Sequence, residues 1–99
     1  MPEGGSEMSK QDDAQLRIAE LRAQIDDIDE KIVRLLNERA YQALAIRELK
    51  PEAQLGLYDP KREEEIFERL ASFNEGPLFS DDLRTIYSTI LRVSKEMRA

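Results

Sequence analysis

From about Asp12 to Lys50 the chain runs for about 39 residues with neither glycine nor proline, and no other stretch restricts the fold as much. Apolar residues recur along it at Leu21, Ile25, Ile28, Ile32 and Leu35, in alternating steps of four and three. The register continues through Arg39, Gln42, Ile46 and Leu49, with Leu36, Ala40 and Ala43 widening the stripe. Such a seam marks one long amphipathic helix. Asp and Glu crowd its first half, which suits the positive end of a helix dipole, and Pro51 marks its stop. At 1.5 Å per residue the helix spans roughly 58 Å, whereas a compact chain of this size has a radius of gyration of about 13 Å. The helix overshoots a globular monomer, and two shorter helices cannot cover its seam. A second copy of the chain, intertwined with the first, is the economical cover.

Arg39 interrupts the seam. A cation on a core stripe is costly unless something anionic meets it, so this position points to an anion site. An ordinary coiled coil is the plainer alternative, but Arg39 and Gln42 at successive seam positions weaken a zipper. Lys50 lies about three turns beyond Arg39, on nearly the same face. Arg22 lies roughly 25 Å before Arg39 along the axis and about 100° around it. It cannot serve the same small ligand from the same chain; in an antiparallel dimer it enters the partner's site. Two arginines from different chains and one lysine suit a small dicarboxylate, because guanidinium groups pair with carboxylates as a fork.

The remaining organisation is simple. Residues 1–10 (MPEGGSEMSK) read as a disordered tail, with Met8 a possible internal start, ahead of a helical domain over 11–99. Residues 51–59 form a loop in which Gly56 supplies backbone freedom. Asp59-Pro60 starts a second helix, Asp as N-cap and Pro at the first helical position, running to about Phe73 with Ile66, Phe67 and Leu70 on its apolar face. Asn74-Glu75-Gly76-Pro77 breaks it. Ser80 or Asp81 then caps a third helix whose core positions are Leu83, Ile86, Ile90, Val93 and Met97. No strand pattern and no internal repeat stand out, so the chain reads as all-α: one very long helix and two shorter ones in an intertwined homodimer.

Composition narrows the function. A net charge of -6 disfavours nucleic acid and anionic membranes as partners. There is no cysteine for a disulfide, a thiolate metal site or a nucleophile, and no histidine to act as a base near neutral pH. Neither a transmembrane span nor a signal peptide is legible, and a cytoplasmic protein is expected.

Four pieces in order — LRAQIDDIDEKIVRLLNER, Lys50, YDPKREEEI and the final helix with Ser94 — resemble the all-helical, AroQ-type chorismate mutases over roughly residues 16 to 98. The resemblance implies that Arg22 crosses the dimer to one substrate carboxylate and Arg39 binds the other. Lys50 would contact the ether oxygen and a carboxylate, and Glu63 the hydroxyl. Asp59, Arg62 and Ser94 fall on other site positions. Where the family places Gln or Glu against the ether oxygen, this chain has Arg98, either a cation stabilising that oxygen or a terminal charge in water. The implied reaction, chorismate to prephenate in phenylalanine and tyrosine biosynthesis, needs no metal, cofactor, nucleophile or proton transfer. It needs a compact substrate conformer and charge stabilisation.

Plainer readings stand beside these roles. Arg22 reads equally as a solvated charge, Arg62 and Glu63 as surface ion-pair partners, Lys50 as a dipole-answering cation and Ser94 as a small packing residue. YDPKREEE and NEGPLF also look like the mutase domains fused to DAHP synthases. The chain could then be an excised domain sensing chorismate or prephenate for a DAHP synthase, and its end after the third helix is compatible with truncation. A non-catalytic helical dimerisation module is the remaining alternative.

Overall fold

The computed structural model describes residues 3–56 and 58–97, with side chains from residue 9 onward. Among the described residues there are three helices and no strand: α1 Glu3–Leu49, α2 Pro60–Phe73 and α3 Ser80–Glu96. None is long and apolar enough to cross a membrane. α1 begins at Glu3, inside the stretch whose composition reads as a tail. Once a helix is nucleated each further residue gains a hydrogen bond, and Gly4 and Gly5 cost only about 1 kcal/mol apiece.

The chain divides into two units, Met1–Glu38 and Arg39–Ala99. In the first, the helix carries short-range ion pairs on its polar side, Arg17 to Glu20 at 3.1 Å and Arg34 to Glu30 at 3.3 Å. Its apolar seam is open: Leu21, Ile25, Ile28, Ile32 and Leu35 are all exposed, Leu35 by 61%.

The second unit holds the last turns of α1, the connecting loop, α2 and α3. α1 ends in a turn that takes up part of its terminal carbonyls: Lys50 N donates to Ile46 O at 3.0 Å, Ala53 N to Leu49 O at 3.0 Å and, just beyond the helix, Leu55 N to Lys50 O at 2.8 Å. The left-handed residue of this loop is Gln54, at φ 59°, rather than Gly56. The reversal comes directly after Pro51, so the strained position falls earlier than the glycine does. Asp59 is the expected N-cap of α2: its Oδ1 accepts from Arg62 N at 3.0 Å, and Pro60 opens the helix.

α2 packs against α3. Arg84 ties them from the solvent side, donating to Glu64 at 2.7 Å and lying 4.1 Å over the Phe67 ring. Ile66, Phe67 and Leu70 of α2 are half-buried, as are Leu83, Tyr87, Ile90 and Met97 of α3, and Leu91 is buried at 8% exposure. Ile86 and Val93, expected in the core, are exposed. The inward stripe of α3 runs through 83, 87, 90, 91 and 94, which leaves 86 and 93 roughly 85–105° to one side. Neither Ser80 nor Asp81 caps α3; the N-cap is Phe79, with no side-chain cap bond. Asn74 explains this. Its Nδ2 donates to Leu78 O at 2.9 Å and contacts Ser80 Oγ at 3.3 Å, and its Oδ1 accepts from Gly76 N at 3.0 Å. The Ser80 oxygen is thereby drawn toward the Asn74 turn, accepting one bond from it.

Replacing Asp59 with Ala should lower stability by about 1 kcal/mol, because the Arg62 amide loses its acceptor, while Asp59→Asn should cost much less. Urea denaturation midpoints of the two variants check this.

Candidate functional site

The stripe of α1 that begins at Arg39 continues through Gln42, Ala43, Ile46, Arg47 and Lys50, in steps of three and four that keep these side chains on one face. All of them line one cavity of ≈ 690 Å³ within the second unit. The α1–α2 loop contributes Leu55 and Tyr58, and the start of α2 contributes Asp59, Arg62, Glu63 and Ile66. Leu91, Ser94 and Lys95 of α3 close the remaining side. The Asp59 cap fixes where α2 starts, and so which of its residues turn toward the cavity.

The electrostatics are one-sided. Five cationic side chains (Arg39, Arg47, Lys50, Arg62 and Lys95) line the cavity against two carboxylates, Asp59 and Glu63, in a chain whose net charge is -6. The carboxylates are occupied. Asp59 caps α2, and Glu63 pairs with Lys95 across from α3. Arg62 leans outward to Glu65 at 3.7 Å, in an exposed pair of little energetic weight. Arg39 is half-buried, and its Nη1 donates to Ser94 Oγ at 3.3 Å. That partner is a neutral hydroxyl, and no carboxylate among the described residues pairs with Arg39. Ala43, Ile46, Ile66 and Leu91 form apolar wall that limits how fully water can solvate the guanidinium. The cavity is thus suited to a small anion of more than one charge.

Of the residues expected from the sequence, Arg39, Lys50, Asp59, Arg62, Glu63 and Ser94 all line this cavity. Arg22 does not. It lies on α1 in the first unit, exposed, with no hydrogen bond or ion pair to any described residue. Arg98 lies outside the described residues. Sequence reasoning passed over Arg47, Lys95 and Tyr58. The signal for Arg47 was weak but present: it is eight residues after Arg39, about 80° round the helix and still beside the stripe. Lys95 had only its adjacency to Ser94 to mark it.

The chain is all-helical among the described residues and carries a cationic cleft. Residues 21–99 match the family model of chorismate mutase type II, and the chain belongs to that family. The bifunctional chorismate mutase/prephenate dehydratase of Aquifex aeolicus is 42% identical over 89 residues, covering 82% of this chain and 25% of that protein. The chain therefore spans about a quarter of the length of that relative. The chorismate mutase of Methanocaldococcus jannaschii is 39% identical over 54 residues, 54% of each chain. Among solved structures, form II of the Thermus thermophilus chorismate mutase aligns with a TM-score of 0.79 and 37% identity, over 82% of this chain and 92% of that one. The Helicobacter pylori chorismate mutase, solved with prephenate, aligns with a TM-score of 0.73 and 34% identity, over 80% and 86%. The second activity in the Aquifex relative is prephenate dehydratase, not the DAHP synthase that the YDPKREEE and NEGPLF segments suggested.

The Glu63–Lys95 pair is partly exposed on both sides, at 28% and 50%, so its contribution to stability should be small. A double-mutant cycle with Glu63→Gln and Lys95→Met, read by chemical denaturation, should give a coupling of no more than about 1 kcal/mol.

Proposed function

We propose that this chain catalyses the rearrangement of chorismate to prephenate, as a cytoplasmic step toward phenylalanine and tyrosine, and does so as a homodimer with shared sites. In this reaction the ether C–O bond breaks as a C–C bond forms elsewhere in the same molecule, and no proton leaves the substrate. Electron density gathers on the ether oxygen in the transition state. Catalysis then consists of holding the folded conformer and meeting that charge. The observation that carries this reading is Arg39: a half-buried guanidinium, bonded among the described residues only to a hydroxyl, in a cavity with four further cations.

On this reading Arg39 takes one carboxylate beside Ser94. Lys50 meets the ether oxygen and a carboxylate, with Arg98 a second candidate for that oxygen. Glu63 accepts the substrate hydroxyl, and Asp59 and Arg62 complete the loop side. Arg22 reaches the other carboxylate from the partner chain. Dimerisation is supported by the open seam of α1 and by exposed Ile86 and Val93 on α3, apolar surfaces that a second copy of the chain would cover. Prephenate in the Helicobacter pylori relative supports the substrate class. The functional domain is taken as residues 11–99.

The direct test is loss of chorismate and appearance of prephenate with the purified chain; no turnover above the uncatalysed rate would overturn the reading. Arg39→Ala should lower kcat/KM by at least about 10²–10³-fold while leaving stability unchanged or raised, since an under-paired charge is removed. Kinetics and denaturation on one preparation check both halves. Sedimentation equilibrium at micromolar concentration should give a dimer; a folded monomer there contradicts the assembly. Finally, Arg22→Ala and Lys50→Ala chains, each inactive alone, should regain activity when refolded together. Hybrids form half of a random mixture, and each has one intact pocket, so roughly a quarter of all pockets should return. Hybrids that form yet stay inactive would exclude a shared site.

A further inference from the structure

Arg47 donates three hydrogen bonds to residues distant in sequence, and among the described residues none of its partners is an anion. Its Nη1 donates to Met97 O; its Nη2 donates to Lys95 O and, at 3.3 Å, to Ser94 O. All three acceptors lie at the C-terminal end of α3, where carbonyls lack partners within the helix and carry its negative dipole end. Met97 N donates to Val93 O at 3.1 Å, closing the last turn from within. The guanidinium closes it from outside.

That turn carries both α3 side chains that reach across the cavity. Ser94 Oγ accepts from Arg39, and Lys95 pairs with Glu63. Arg39 and Arg47 are eight residues apart on α1, about 12 Å. α1 therefore holds the end of α3 at two points, and Arg39 supplies only one long bond. Three of the five N–H donors of Arg47 are engaged with carbonyls, so its guanidinium is directed largely at holding backbone.

We propose that Arg47 is a positioning residue: it clamps the last turn of α3 and so fixes Ser94 against Arg39 and Lys95 against Glu63. The proposal rests on the mutase reading for its effect on turnover, but not for its effect on α3. Without the clamp the turn frays, Ser94 drifts from Arg39, and the groups that bind the transition state lose their register.

The experiment uses the full chain with Arg47→Gln, Arg47→Lys, Ser94→Ala and the Arg47→Gln/Ser94→Ala double variant. Hydrogen exchange at the amides of 94–97 should quicken by about tenfold or more in Arg47→Gln, with α2 unchanged. Its kcat/KM should fall by about 10–100-fold, mostly in kcat, as misplacement of groups complementary to the transition state does. Arg47→Lys, able to donate to fewer carbonyls, should fall between; it carries the test if Arg47→Gln does not fold. The double variant should be within about twofold of the worse single, because both lesions break one contact. Unchanged exchange at 94–97 overturns the proposal. So do losses that multiply in the double variant, since Arg47 would then act on the ligand by itself. If the unaltered chain has no turnover, the mutase reading fails, and the exchange measurement alone decides whether Arg47 is the clamp.

Discussion

A permanent positive charge on the seam of α1 organises the second half of this molecule. Arg39 occupies a position that the repeat of Leu21, Ile25, Ile28, Ile32 and Leu35 would fill with an aliphatic side chain. The chain keeps it half-exposed, gives it the Ser94 hydroxyl and places it at one end of a cavity. The neighbours follow from that choice. Small Ala43 leaves room, Ile46, Ile66 and Leu91 keep the local dielectric low, and the carboxylates nearby are assigned to a helix cap or to Lys95. A carboxylate placed against Arg39 would have filled the site from within.

The contrast between the acidic chain and its cationic cavity is physically useful. An overall charge of -6 favours solubility and discourages adventitious polyanions. A local surplus of cations between apolar walls acts over only about 8–10 Å at physiological ionic strength, so it selects small anions that can enter.

Much of this was legible in the sequence because it is periodic or local. The three-and-four spacing announced α1, and the same spacing aligned Arg39 with Lys50. Asp59-Pro60 announced the start of α2, since a cap and its amide are only three residues apart. What escaped depends on contacts distant in sequence. Arg47 looked like one charge among many until the carbonyls of Ser94, Lys95 and Met97 lay beside it. Ser80 had the right chemistry for a cap, but Asn74 had already engaged its hydroxyl. Ile86 and Val93 fit the same helical repeat yet lie exposed in the single chain, because spacing alone does not say whether a face packs within the chain or against another. Glycine likewise suggested Gly56 for the reversal that Gln54 makes, as a turn's strained position is set by where the chain must reverse.

The Asn74 turn also bears on the cost of closing this unit. α2 and α3 are joined by a connection that closes on its own side chain, and the Glu64–Arg84 tie spans only 20 residues. The Arg39–Ser94 contact spans 55. Loop-closure entropy makes the longer closure costlier by about 0.9 kcal/mol if it forms unaided. On loop-closure entropy alone, the α2–α3 hairpin is the cheaper of the two closures. Ser94 and Glu63 both belong to the hairpin and Arg39 does not, so the ligand site is complete only once the longer closure is made.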